Sequence, residues 1–348
     1  TISSLDHSRI YMHYKAMQAR FIPGMIFICM IIGPHSWSNI MKRHFSQRLI
    51  DFMPPFRRGG MRSVVKRLSY MICCLAMFNP MKADAQQAIN IPVNHGPSEH
   101  VTAWWWIGAS RQQHPSDHIA PAILLLHGCG GMLNRQGLPD QRMRSYAELL
   151  AKMGWHVLAL DSFSARGVKE ICTRARGGRA QVSQTLRRAD TAAAIAWLSR
   201  HEAVDKNRLG LMGWSNGGTT VLAYTHHGDP PELQASYPGL RAAVAFYPGC
   251  NDREQHGYQP AMPVLLLLAL SDDWTPPEPC LRLKSENISM LGWENAFHGF
   301  DGTAKLRFRT DIRNGINPEG VHQGANIQAG EEARVSLIEF FAHHFASK

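Results

Sequence analysis

Residues 208–224 read RLGLMGWSNGGTTVLAY. The run Arg208–Trp214 predicts a buried strand, and Asn216–Tyr224 predicts a helix that begins at once behind it. Between them, Gly213-Trp214-Ser215-Asn216-Gly217-Gly218 forces a sharp strand-to-helix turn. A serine on such a turn is pushed beyond the sheet edge, on a strained backbone. Glycines flank it because side chains there would collide with the adjoining strand and helix. The helix N-terminus behind the serine favours developing negative charge. The short pattern alone arises often by chance, and a glycine-rich turn without chemistry is the alternative. The strand before it and the helix after it make it specific.

The same alternation extends in both directions. Ala120–His127, His156–Leu160, Ala242–Phe246 and Val264–Leu270 are short apolar runs that predict further buried strands. Arg142–Met153 has Tyr146, Leu149, Leu150 and Met153 at helical spacing, with Gly154 as its cap. Ser183 caps a long helix through Arg200, with Leu186, Ala189, Ala193 and Ala196 on one face. Glu331–Phe345 closes the chain as an amphipathic helix, with Val335, Ile338, Phe341 and Phe345 in register and acids in its first turn. Strands apolar on both faces and alternating with helices predict an α/β fold, a mostly parallel sheet covered on both sides. Ligands of such sheets bind beyond the carboxyl ends of the strands. The unusual residues of this chain fall there.

A serine nucleophile needs a base and an orienting acid. Asp272 follows the strand Val264–Leu270, and His298 lies in a loop before the last helix. Asp273 competes with Asp272, which is preferred because it comes first off the strand. His127-Gly128-Cys129-Gly130-Gly131 follows another strand end. Backbone N–H groups of such a loop can point at an oxyanion, with Cys129 and Asn216 as the expected donors. A phosphate-cradling reading fails because no Lys-Ser/Thr follows the glycines.

The chain resembles the dienelactone hydrolase family of α/β-hydrolases. The resemblance rests on HGCGG at 127–131, DSFSARG at 161–167, GWSNGG at 213–218, DDWTP at 272–276 and HGFD at 298–301, and covers nearly all of 90–348. It implies an eight-stranded α/β sandwich, a Ser215-His298-Asp272 triad, and hydrolysis of carboxylic esters or lactones without a cofactor or metal. The founding members use a cysteine nucleophile, whereas position 215 is serine. That departure favours a general carboxylesterase over an enzyme for dienelactone itself. A serine peptidase or acyltransferase on the same fold is the near alternative, and a non-catalytic binding protein the distant one.

Cys129, Cys172, Cys250 and Cys280 lie in the region that carries the resemblance. Sheet order discriminates among their pairings. The strands before Cys129 and Cys172 are expected neighbours, as are those before Cys250 and Cys280. The expectation is therefore Cys129–Cys172 and Cys250–Cys280, with four buried thiols as the alternative. Trp214 and Trp274 are candidates to line the substrate pocket, or to serve as core. Arg166 is a candidate for a substrate carboxylate, or for a surface role. Residues 302–329 form a long polar loop, expected to flank the site as a partial lid.

Composition restricts the partners. The chain has 348 residues, 45% hydrophobic and 18% charged, which supports a sizeable core. Its net charge of +10 first suggests nucleic acid or an anionic membrane. However, residues 1–85 hold 12 Lys+Arg against 3 Asp+Glu, while 86–348 hold 25 against 24. The region 86–348 is nearly neutral, so a small ester or lactone is expected as partner and nucleic acid is not. Arg62, Lys66 and Arg67, the apolar run Tyr70–Phe78 and the small-x-small site Ala83-Asp84-Ala85 have the layout of a secretory signal peptide over 61–85. The expected organisation is a single domain over 86–348, periplasmic or secreted after cleavage near Ala85, with no stable membrane span in the mature chain. Residues 1–60 read most simply as upstream translation, with a weak anchor at Phe21–Ile32 as the alternative.

Overall fold

The computed structural model describes residues 87–109, 119–174, 181–227 and 239–346. The chain divides into two units, residues 1–79 and 80–348, and all described residues belong to the second. The proposed signal peptide and the segment before it lie outside the described residues.

An eight-stranded sheet runs through this unit. Its strands are β1 (Gln87–Pro92), β2 (His100–Trp106), β3 (Ala120–Leu126), β4 (His156–Asp161), β5 (Val204–Trp214), β6 (Leu240–Phe246), β7 (Val264–Ala269) and β8 (Ile288–Trp293). They lie in the order β1-β2-β4-β3-β5-β6-β7-β8. From β4 to β8 all pairings are parallel. β1 with β2 and β2 with β4 are antiparallel. The helices are α1 (Gln141–Lys152), α2 (Gln184–Arg200), α3 (Asn216–Thr225), the short α4 (Asn251–His256) and α5 (Glu278–Leu281), and α6 (Ile327–Ala346). A small hairpin of β9 (Arg307–Arg309) and β10 (Val321–Gln323) lies within the predicted loop 302–329.

Strand β3 shows why both faces are apolar. Ala122, Leu124 and Leu126 pack with Ile195 and Leu198 of α2 and with Val221 and Leu222 of α3. Ile123 and Leu125 point the other way, to Tyr146 and Leu150 of α1 and to Leu337 and Phe341 of α6. Successive side chains of a strand alternate between faces, so a strand covered twice must be apolar throughout.

Three helix readings are corrected. Helix α6 begins at Ile327, so Glu331 and Glu332 lie beyond its first turn. Its buried row is Ala329, Ala333, Leu337, Phe341 and Phe345, while Val335 is exposed. In α1, Met143, Tyr146, Ala147 and Leu150 are buried, and Met153 is the exposed C-cap. Helix α2 buries Arg187, Asp190, Thr191, Ala194, Ile195 and Leu198, a face rotated from the predicted alanine stripe. Its N-terminal half buries charge because that charge has partners within the fold. Ser183 does cap α2, accepting from the Leu186 N–H at 3.3 Å.

Gly210 of β5 leaves the space that the Phe341 ring fills, since a β-carbon there would lie 2.7 Å from that ring. Phe341→Ala is therefore expected to lower stability by about 3–5 kcal/mol. Urea unfolding against the parent chain checks this, and a loss under about 1 kcal/mol would refute the packing assignment.

Candidate active site

Strand β5 delivers Ser215 with φ 52° and ψ −118°, a conformation that L-residues rarely hold. Three contacts over-determine it. The Ser215 N–H donates to the Phe246 carbonyl at 2.9 Å, and the Thr219 N–H to the Ser215 carbonyl at 2.8 Å. Gly217 packs against the carbonyls of Leu126 and His127 so closely that any β-carbon would strike them. Sequence and strain agree on one feature: a serine held beyond the sheet edge at the start of α3.

His298, in the turn after β8, meets this serine with Nε2 2.9 Å from Oγ. Its Nδ1 lies 2.8 Å from Asp272 Oδ2. This arrangement fits a neutral ring with Nδ1–H donating to the carboxylate and the serine hydroxyl donating to Nε2. Asp272 is fixed in turn. Its Oδ1 accepts from the N–H groups of Trp274 and Thr275 at 2.8 and 2.9 Å. The Thr275 hydroxyl donates to its Oδ2 at 2.9 Å. Asp273 faces away, accepting from the N–H of His322 at 2.8 Å and pairing with its Nδ1 at 2.7 Å. Of the two adjacent aspartates, the structure brings Asp272 to the histidine.

Tyr247 and Trp274 flank the His298 ring, with centroids 4.6 and 4.4 Å away. Tyr247 was not anticipated. It has φ 33°, and its hydroxyl donates to Asp301 at 2.6 Å. Burial pushes its phenol pKa well above the usual value. Trp214 lies beneath the site, fully buried, with Nε1 donating to Asp301 Oδ2 at 2.8 Å. It is chiefly core, although it borders the cavity. Trp274 lines the cavity more openly and donates through Nε1 to Asn314 at 2.8 Å. The cavity over Ser215 has a volume of about 560 Å³. Arg142, Glu170, Arg309 and Asp311 give it a charged rim.

The HGCGG loop is held from several sides. The Gly128 carbonyl lies 2.8 Å from His127 Nδ1 and accepts from the Gly131 N–H at 3.3 Å. Across a trans peptide the N–H points opposite to the carbonyl, so this aims the Cys129 N–H away from those donors. The Cys129 carbonyl accepts from Ile171 at 2.8 Å. Disulfides join Cys129 to Cys172 and Cys250 to Cys280, the pairing that the sheet order predicts. Cys129 and Cys172 both border the cavity.

Arg166 is elsewhere. Its guanidinium is buried, donating to Asp190 at 2.7 and 2.8 Å and to the Ser162 carbonyl at 2.7 Å. Those partners hold it away from any ligand in the cavity, which corrects the substrate-carboxylate reading. The segment 302–329 is not a free loop. Gly324 N–H donates to the His298 carbonyl at 3.1 Å, Ile316 N–H to that of Asp273 at 2.9 Å, and Arg309 and Gln323 border the cavity. Among the described residues no group of three His, Cys, Asp or Glu is placed to hold a metal ion.

The sequence matches the dienelactone hydrolase family over residues 109–345. This chain belongs to the dienelactone hydrolase family. Membership makes it a carboxylic ester hydrolase by class. None of the curated proteins compared matches it. Among solved structures it is similar to a protein described as a dienelactone hydrolase from Klebsiella pneumoniae, at 18% identity and TM-score 0.52, covering 74% of this chain and 99% of that one. It is also similar to a Mycobacterium tuberculosis puromycin-hydrolyzing peptidase, at 16% identity and TM-score 0.52, covering 77% of this chain and 41% of that one. A third is esterase 2 of Thermogutta terrifontis, phosphonylated by cyclosarin, at 18% identity and TM-score 0.50, covering 76% and 96%. At these identities the structures bear on the fold alone.

Within this family member, His127 couples folding stability to pH. Burial foremost, and then the Arg187 charge, lower its pKa from 6.5 to about 4. The unfolded chain therefore binds a proton between those values that the folded chain refuses. The contribution is fully present above pH 6.5 and is lost as pH falls toward 4. His127→Asn, which retains a neutral donor, is expected to flatten the fall in unfolding free energy between pH 7 and pH 4.5 by about 1–3 kcal/mol. Parallel pH profiles for parent and variant would contradict this assignment.

Proposed function

We propose that the chain is an exported serine hydrolase that cleaves carboxylic esters or lactones through an acyl-enzyme. Ser215 Oγ attacks the carbonyl carbon while His298 Nε2 takes the hydroxyl proton. The imidazolium then gives that proton to the departing alkoxide oxygen. Asp272 holds the tautomer and stabilises the imidazolium. The N–H groups of Cys129 and Asn216 receive the oxyanion. Water, deprotonated by His298, then attacks the acyl carbon and releases the acid and Ser215. The observation that carries this reading is the continuous chain from Asp272 through His298 to Ser215, at 2.8 and 2.9 Å, opening into the cavity.

The charged rim and the moderate volume support short or polar acyl and alcohol groups over long aliphatic chains. Export is supported by the two disulfides, which persist in oxidising compartments. Among the described residues no helix is long and apolar enough to cross a membrane. The puromycin-hydrolyzing peptidase is matched over only 41% of its length, so its activity is a weaker guide here than the family's.

Hydrolysis of short p-nitrophenyl esters by the chain exported into an oxidising compartment tests the reading. Ser215→Ala is expected to remove several orders of magnitude in kcat and to abolish labelling by a fluorophosphonate. Asp272→Asn is expected to cost about 10⁴-fold and Asp273→Asn less than about tenfold. Equal losses for both aspartates would overturn the assignment of the acid, and an active, labelled Ser215→Ala would overturn the nucleophile.

A further inference from the structure

Helix α2 spends part of its buried face on Arg187, a residue with no place in the triad. The residue is 1% exposed. One guanidinium nitrogen, Nη2, donates to the His127 carbonyl at 2.7 Å. The other, Nη1, donates to the side-chain oxygen of Asn216. The Phe163 ring lies beneath it, 5.2 Å from centroid to guanidinium carbon. These bonds go to two segments far apart in sequence, the HGCGG loop and the turn after Ser215. Each segment offers one of the two proposed oxyanion donors.

A charge placed there for ion pairing would be matched to a carboxylate. The nearby Asp190 is instead engaged by Arg166 through both oxygens and by His95 at 2.8 Å. Burial lowers the Arg187 pKa to about 10 while Asp190 and Asp161 raise it, so the group remains cationic at neutral pH. Gln184, one helical turn earlier, reinforces the same junction. Its amide donates to the Asn216 carbonyl at 3.3 Å and its oxygen accepts from Thr220 at 2.8 Å.

We infer that Arg187 is a positioning residue for the oxyanion pocket, clamping the His127 peptide and Asn216 in the register that lets both segments meet one developing charge. The inference rests on the hydrolase reading above. The His127 carbonyl shares its peptide plane with the Gly128 N–H, so fixing it fixes the approach to Cys129. Asn216 is the first residue of α3, and anchoring its side chain stops that side chain from turning in to bond its own backbone. The cation also lies behind the donors, where it reinforces the positive potential met by an oxyanion. Such pre-organisation acts on the transition state and leaves ground-state binding nearly unchanged.

The test compares Arg187→Met, Arg187→Lys, Asn216→Ala and the Met/Ala double variant in the full chain. Three quantities are read: kcat, KM and the affinity for an aryl boronic acid, which adds to serine as a tetrahedral anion. Arg187→Met is expected to lower kcat by about 10- to 100-fold with KM within about twofold, and to weaken boronate binding by the same factor. Arg187→Lys recovers part of the loss, because one ammonium cannot match the two-pronged fork. The double variant loses no more than Arg187→Met alone, because that substitution already removes the contact that Asn216→Ala removes. If Arg187→Met fails to fold, Arg187→Lys and Asn216→Ala carry the same readouts, since neither removes the buried cation. Parent-like kcat and boronate affinity in the folded variants would overturn the inference while leaving the hydrolase reading intact. A parent chain that neither turns over esters nor labels with a fluorophosphonate overturns both.

Discussion

The close approach of Gly217 to the carbonyls of Leu126 and His127 is the constraint from which the site follows. It lets α3 start against the end of β3 rather than a side chain's width away. That proximity forces Ser215 into its positive φ and holds its hydroxyl beyond the sheet edge. It also brings the HGCGG loop beside the serine, because that loop begins at the same strand end. A conformation that costs on the order of 1–3 kcal/mol persists only where surrounding packing leaves no alternative. Here the packing is the sheet itself, through the Phe246 carbonyl on one side and the end of β3 on the other.

Beneath the site the fold accepts charge in its interior. Asp301 is fully buried, between the Trp214 indole, the Tyr247 hydroxyl and the Arg142 guanidinium. Desolvating an isolated carboxylate would cost several kcal/mol, and these donors offset that cost. They also give it a structural use. Trp214 precedes the serine, Tyr247 flanks the histidine, and Asp301 comes three residues after that histidine. One carboxylate thus ties three segments of the site from below, without touching the cavity chemistry.

Where the sequence was legible, one physical rule sufficed. Strands covered on both faces must be apolar throughout, so β3, β4, β5, β6 and β7 stood out. The turn at Ser215 announced itself by its glycines, Asp272 by following a strand end, and His298 by lying in the loop before the last helix. Edge strands were harder. β8 exposes much of its length, and β1 and β2 pair antiparallel outside the repeating alternation. Helix α2 was misread for a deeper reason. Its buried face contains Arg187, Asp190 and Thr191, and a sequence pattern assigns such residues to water. Arg166 was misplaced for the same reason, since its partner Asp190 lies 24 residues away in the chain. Buried polar networks are specified by three-dimensional partners, which periodicity cannot reveal. The hairpin within residues 302–329 was missed because a three-residue strand carries almost no period.

The HGCGG loop, proposed above to supply an oxyanion donor, is held by contacts of three different kinds. The disulfide to Cys172 is covalent, the His127 bond is a neutral hydrogen bond, and the Arg187 bonds are charge-assisted. Each responds to a different perturbation: reductant, acid, and removal of a buried cation. Donors that must meet a charge only as it develops cannot reorganise at that moment without losing their advantage over water. Rigidity of the loop is therefore part of the proposed chemistry. Glycine supplies the close backbone approach but also the freedom to leave it. A loop made of glycines can serve as a fixed set of donors only if its neighbours remove that freedom, and here two helices, one disulfide and one imidazole do so.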